Sequence, residues 1–461
     1  MRGMFTRRAL LSTSLLMTCH AGVRASERTF TPEQFGAKGD GITNDSDALT
    51  RLAAAVTLAG GGTVVFRPVT YIVGRQPSGS PGKFAFPPPD LLSFTKCSMP
   101  LVLRGNGATL KAATGLRYGV FRPDGSVLPT KMPYLGDGLA TPYNAMIHVS
   151  GSTASVEIHD IELAGPGDAV VLGGQYGDTG WQIPGSGILL TENRGPEMVR
   201  GVHSHHHPLD GIMIDGLDRA TGASRRLIDV RAEDNGRQGC SIVGGRGYRF
   251  TNCSFSRSGR GKVRSAPGAG VDVEAENGKL VRDVSFDNCR FADNSGVGFI
   301  ADSGDSASIT LDRCTFVGTT AWSAWPRKPY MRFSDCTFVG SLSNAFGDED
   351  PARAAQFARC IFTDDPALAP RGVVYGGPLA DLSSARNVLF DECRFDASHG
   401  GTLPWSTHAI YVDCAMTQKR RTKSFPRGQF RGRNTITGNV DLYDSRIAGF
   451  LVVNGSTVEN R

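Results

Sequence analysis

The sequence predicts an all-β chain: a single-stranded right-handed parallel β-helix, or solenoid, with a short N-terminal capping helix. Two repeats predict it. The first is a Cys-x-Phe pair at Cys253/Phe255, Cys289/Phe291, Cys314/Phe316, Cys336/Phe338, Cys360/Phe362 and Cys393/Phe395, with cysteine spacings of 36, 25, 22, 24 and 33. Spacings of this size, some lengthened, fit coils that carry loop insertions. Alternation puts Cys and Phe on one side of a strand, so successive coils stack like on like toward the core. The second repeat is led by glycine, at Gly187, Gly211, Gly239, Gly270 and Gly296, in steps of 24, 28, 31 and 26. Its inward positions are Ile188/Leu190, Ile212/Ile214, Cys240/Ile242, Val271/Val273 and Val297/Phe299. Two separate inward stripes per coil require at least two strands per coil, which a β-sandwich does not supply at constant register.

From the N-terminus, Thr6-Arg7-Arg8-Ala9-Leu10-Leu11 resembles a twin-arginine export signal. An apolar run from Leu10 to Met17 follows, too short to span a bilayer, then Val23-Arg24-Ala25. Cleavage is expected after Ala25, which divides the chain into an export signal (1–25) and one β-helix domain (26–461). The product is expected to be periplasmic or secreted. The formal charge of +6 includes four leader arginines, so the mature chain carries +2 and offers no case for nucleic acid. Glycine is 58 of 461 residues, well above the ~7% of average proteins. The ladder cysteines are read as small apolar fillers, although an exported chain leaves a disulfide between neighbours open.

Asp45 to Val56 reads as an amphipathic helix, with Asp40, Asp45 and Asp47 as turn and cap residues. Gly60 to Phe66 and Pro68 to Val73 give the first strands. Residues 74–89, 112–143 and 166–185 read as loops or insertions. Basic residues 418–433 read as an exposed loop, with strands resuming at Asn434, and the apolar run from Ile447 to Val453 as a cap or a partner surface. The opening Phe35-Gly-Ala-Lys-Gly-Asp-Gly-Ile-Thr-Asn-Asp-Ser-Asp-Ala-Leu49 resembles that of pectate-lyase-superfamily and polygalacturonase-like β-helix proteins, phage tailspikes among them. The resemblance covers about 45 residues and implies the fold and action on a polysaccharide, without specifying a reaction.

The aligned glycine strands place candidate chemistry. Outward positions are Met213 and Asp215, then Ser241 and Val243, then Asp272 and Glu274. Coils lie ~4.8 Å apart, so Asp215 and Glu274, two coils apart, fall about 9–10 Å from each other. That matches the ~6.5–9.5 Å between carboxyl groups of inverting glycosidases. Asp272, Glu274 and Asp215 are therefore the candidate catalytic acids. Asp210, Arg237, Gln238 and Ser241 border the same groove as candidate substrate-binding residues. Arg237-Gln-Gly and Ala269-Gly-Val-Asp-Val-Glu274 also resemble strands of uncharacterised proteins of this superfamily, whereas the polygalacturonase signature is missing as a set.

Further candidates for substrate contact are His207, Lys262, Arg264, Tyr176 and Trp181, with Trp322, Trp325 and Tyr330 as later stacking platforms. The run His203-Ser-His-His-His-Pro208 suits a metal by residue type. Neighbouring histidines alternate faces, however, and no acid at ligand spacing accompanies them, so no metal is assigned. No cofactor is expected; Ca²⁺ on Asp272, Glu274 and Glu276 is the alternative. The expected partner is a polysaccharide, with no membrane span. A homotrimer is left open, since no coiled coil marks one. The reaction favoured is glycoside hydrolysis. A polysaccharide lyase or C5-epimerase, and a non-catalytic carbohydrate-binding β-helix, are the alternatives.

Overall fold

The structure, a computed structural model, describes residues 28–459 except 77–87, 123, 128–139, 174–181 and 219–222. The export signal expected over 1–25 lies outside the described residues. Helix Ser46–Leu58 covers the first coil, burying Leu49, Leu52 and Val56. Of the acids of the opening, Asp40 and Asp45 are structural as expected, whereas Asp47 makes no cap bond and pairs with Arg75 at the surface. Asp40 accepts from the backbone N–H groups of Ile42 and Thr43, and Asp45 from those of Lys38 and Gly39. These bonds fix the turn in which Gly39 adopts φ +59°, where a Cβ would strike Val69 at 2.7 Å.

Beyond the helix the chain winds as a parallel β-helix with three strands per coil. The first sheet contains Asp210–Asp215, Gln238–Arg246, Val271–Glu274 and Phe299–Ser303. The second contains Arg225–Ile228, Tyr248–Thr251 and Leu280–Asp287. The third contains His203–His205, Arg231–Glu233, Ser254–Ser256 and Arg290–Ala292. Between the second and third sheets the chain turns at a single left-handed residue, including Asp229, Asn252, Asn288 and Asp335 with φ of 50–54°. After glycine, Asn and Asp tolerate that conformation best, and one of them precedes Cys253, Cys289 and Cys336, whereas Arg313, Arg359 and Glu392 hold the same conformation before Cys314, Cys360 and Cys393.

The Cys-x-Phe ladder is the core. Phe255, Phe291, Phe316, Phe338, Phe362 and Phe395 occupy one register column, and their rings stack at 4.7–5.6 Å. Each buried ring contributes on the order of 1.5–3 kcal/mol through removal from water. The ladder cysteines are buried and unpaired, and Cys414 extends the column by a member lacking the Cys-x-Phe text.

Three expectations about loops change. Arg117–Gly119 and Val171–Gly173, in two separate insertions, pair as a small parallel sheet. Tyr118, Val170, Ile183 and Val263 form its own core, so the insertions make one lobe beside the first sheet. The basic stretch 418–433 is not simply a loop: Pro426–Thr437 is a strand that buries Pro426, Gly428 and Phe430 while their neighbours face outward. The interleaved arginines hide that alternation. At the C-terminus, Arg446–Val453 buries Ile447 and Leu451 and pairs antiparallel with Ser456–Val458. This hairpin interrupts parallel stacking at the last edge.

Candidate active site

The outer face of the first sheet carries the candidate groove. Register aligns Met213 with Ser241, Ser241 with Asp272, Asp272 with Ile300, and Ile300 with Trp325. At ~4.8 Å per coil, Trp325 stands two coils, about 10 Å, beyond Asp272 along this column. Small residues build the strand entries: a Cβ on Gly239 would lie 2.7 Å from Gly270 O, and one on Gly270 would lie 2.4 Å from Gly298 O.

Five of the residues expected here form one buried hydrogen-bonded group. Gln238 Nε2 donates to Asp272 Oδ2 at 2.9 Å. Ser241 Oγ lies 2.8 Å from Asp210 Oδ2 and also contacts Gln238 Oε1. Arg237 reaches Ser241 Oγ at 3.4 Å and pairs with Asp210 Oδ1 at 3.6 Å. Its remaining amino group donates to Gln182 Oε1 at 2.8 Å. Asp210 and Gln238 are fully buried; Arg237 and Asp272 are 6% and 5% exposed. Asp210 Oδ1, Asp272 Oδ1 and Arg237 Nε are buried with no hydrogen-bond partner. Asp210 Oδ1 and Arg237 Nε still face each other as the 3.6 Å ion pair, so the atom left wholly unpartnered is Asp272 Oδ1, at a cost of roughly 1–3 kcal/mol.

The charges explain the protonation. Burial, then the nearby Glu274 carboxylate, pushes Asp272 up to about 8, against the opposing pull of Arg237. Asp210 is raised as well, chiefly by burial, with Arg237 acting against it. Glu276 is raised by burial and by Glu274. One hydroxyl hydrogen on Ser241 cannot serve both Asp210 and Gln238. Glu274, on the same face two residues along the strand from Asp272, is partly exposed and faces the groove mouth.

Other expected residues fall elsewhere. A bulge after Ile214 sets Asp215 opposite Gly244, where Lys279 takes its carboxylate. The equivalence expected between Asp215 and Glu274 therefore does not hold. His207 does not line the groove: it is 1% exposed, its Nδ1 accepts from Tyr143 Oη at 2.8 Å, and its Nε2 donates to Leu163 O at 3.1 Å. Burial pulls it down to about 3, so it is a neutral structural imidazole. Lys262 and Arg264 are exposed on the loop whose Val263 packs into the side lobe, and Asp168 accepts from Lys262 N. Tyr176 and Trp181 lie outside the described residues. Trp322 and Trp325 meet edge to face at 4.7 Å, and Trp322 also meets Tyr375. Tyr330 lies under the Arg353 guanidinium, at 5.9 Å.

Sequence reasoning missed Gln182 and Asp302. Asp302, on Phe299–Ser303, adds to the charge that raises Asp272. Asp302 lies two residues past Ile300 on the strand led by Gly296, beyond the positions that the repeat indexes, whereas Gln182 sits in an insertion with no repeat to index it.

The family described as "Right handed beta helix region" matches residues 145–338, which include every residue of this group. The chain thus carries a right-handed β-helix region. A capsule KN3-specific depolymerase, depolymerase 1 of Klebsiella phage KN3-1, is 55% identical over 42 residues, 9% of this chain and 5% of that protein. The chain therefore matches only a small fraction of that relative's length. Among solved structures, the A-module of the Azotobacter vinelandii mannuronan C-5 epimerase AlgE4 is 16% identical with a TM-score of 0.47, over 92% of this chain and 97% of that one. Tailspike gp49 of Acinetobacter baumannii bacteriophage Fri1, a capsular polysaccharide depolymerase, is 12% identical with a TM-score of 0.41, over 95% and 66%. An exopolygalacturonase from Thermotoga maritima is 13% identical with a TM-score of 0.31, over 94% and 93%.

Proposed function

We propose that this chain cleaves a polysaccharide by hydrolysis in the groove of the first sheet, with Asp272 as general acid and Glu274 as general base. The observation that carries the reading is a buried Asp272 raised to about 8, beside a second carboxylate that stays in contact with solvent. A general acid must hold its proton at working pH, and burial next to another carboxylate supplies that condition. Side chains two residues apart on one strand leave the same face about 6.6 Å apart, at the lower end of the spacing that admits a water between acid and base. Gln238 orients Asp272, while Arg237 and Asp210 hold Gln238 and Ser241 in place. Asp215, engaged by Lys279, is left outside the catalytic pair.

The short match to a capsule-specific depolymerase supports a glycan substrate. An export signal would bring the chain to such glycans, and among the described residues no helix is long and apolar enough to cross a membrane. Trp322 and Trp325 lie on the same face and suit stacking against a sugar ring. The test is incubation of the mature chain with acidic and neutral capsular and plant-wall polysaccharides, following reducing ends and ultraviolet absorbance together. New reducing ends without absorbance are expected. Absorbance rising in step with them would replace hydrolysis by β-elimination, and silence across the panel would favour a binding role.

A further inference from the structure

The histidine run upstream of the groove makes a second cluster. On the third sheet His203 and His205 point outward and Ser204 inward. Register sets His203 beside Glu162 of the preceding coil and His205 beside Glu233 of the next. His205 Nε2 lies 3.0 Å from Glu162 Oε1, and His203 Nε2 lies 3.5 Å from Glu233 Oε2. One donor atom each from Glu162, His203 and His205 falls within 4.8 Å of the others. The two imidazoles lie face to face, with ring centroids 4.3 Å apart and a 31° tilt. All three side chains are partly exposed, so an ion can reach them from solvent.

The surroundings fix this geometry. His205 Nδ1 lies 2.6 Å from His206 Nδ1, the kind of contact by which the non-ligating nitrogen of a metal-bound histidine is oriented. His206 adopts φ 58°, and the neighbouring coil makes room for it with glycine: a Cβ on Gly165 would lie 2.3 Å from His206 O. Arg257 holds Glu233 from the far side. Two imidazoles brought face to face against a carboxylate suit a dication better than they suit two protons.

We propose that Glu162, His203 and His205 bind one first-row transition-metal dication of the zinc class, with Glu233 placed to complete the set directly or through water. Two nitrogens and one oxygen fit zinc, nickel or copper, whereas calcium and magnesium take oxygen ligands. Donors around tetrahedral zinc stand ~3.4 Å apart, so side-chain adjustments suffice to close the cluster. The ion would tie consecutive coils together just ahead of Pro208 and Asp210, and the site does not depend on the reaction proposed above.

The test uses the full chain without a histidine tag, stripped with chelator, loaded with zinc and dialysed, with bound metal then measured by elemental mass spectrometry. One equivalent per chain is expected, undiminished by excess calcium. His205→Ala and Glu162→Gln should each weaken zinc binding by roughly 10- to 100-fold, judged by competition with a chromophoric chelator. His159→Ala, at a separate histidine–glutamate pair, should bind as the parent does. Copper(II) in the parent should show two coordinated nitrogens by electron paramagnetic resonance, and His205→Ala should lose one. Glu162→Gln keeps both imidazoles and serves as the deciding variant if His205→Ala fails to fold. No retained metal, or retention equal in His205→Ala, Glu162→Gln and the parent, would overturn the site.

Discussion

Replacing Asp272 with asparagine is expected to lower the cleavage rate roughly 10²- to 10⁴-fold, the range that a positioned general acid supplies. Asparagine keeps the shape and can still accept from Gln238 Nε2, so the buried group of Asp210, Arg237, Gln238 and Ser241 should remain assembled. What disappears is the transferable proton. Substrate affinity should change little, placing the loss in kcat rather than KM. The parent enzyme should keep its activity up to about pH 8 and lose it above, as Asp272 ionises. A measured kcat within a few-fold of the parent would remove Asp272 from catalysis.

The same variant should gain stability at alkaline pH. The Asp272 pKa is raised from 3.8 to about 8, chiefly by burial, so between those values the folded chain holds a proton that the unfolded chain has released. The stabilisation this proton carries is whole below about 3.8 and is lost as pH rises through about 8. Asp210 and Glu276 are raised in the same direction and steepen the loss. Asparagine cannot ionise, so Asp272→Asn escapes its share. At ~1.4 kcal/mol for each tenfold change in proton affinity, that share is on the order of several kcal/mol near pH 8. Thermal midpoints from about pH 5 to pH 9 should therefore fall more steeply for the parent than for Asp272→Asn. Parallel curves would mean that Asp272 is not buried with its proton.

The coil architecture was legible because it repeats. Each Cys-x-Phe pair and the glycine-led strands from Gly187 to Gly270 are samples of a register that the structure keeps. The fifth glycine-led strand is off by two: Val271 pairs with Phe299, so Gly298 and not Gly296 follows Gly270, and Val297 packs outside the main core. Residues indexed by that register, namely Asp210, Arg237, Gln238, Ser241 and Asp272, do come together. Residues whose position depends on a local departure do not follow it. The extra residue that sets Asp215 against Gly244 lies on the neighbouring strand, where the pair Gly244-Gly245 is its one sign in the sequence. His207 is drawn inward by Tyr143 and by Leu163 O, contacts set by distant segments.

The same holds for polar groups inside the stack. Glu197 and Arg225 sit in the core column of the second sheet, where Tyr248 Oη donates to Glu197 Oε2 at 2.8 Å. Alternation with Val199 and Leu227 puts both on the inward face, and coil stacking makes each the other's partner. Glu162 joins His203 and His205 for the same reason: coil stacking, not spacing along the chain, makes them neighbours.

Cleavage in ¹⁸O-labelled water, with products weighed by mass spectrometry, tests the central claim most directly. Hydrolysis between Asp272 and Glu274 predicts saturated products, each new reducing end carrying one ¹⁸O from the attacking water. Unlabelled new reducing ends, together with new non-reducing ends that carry a double bond and are 18 Da lighter than their hydrolytic counterparts, would contradict it and assign the groove to elimination.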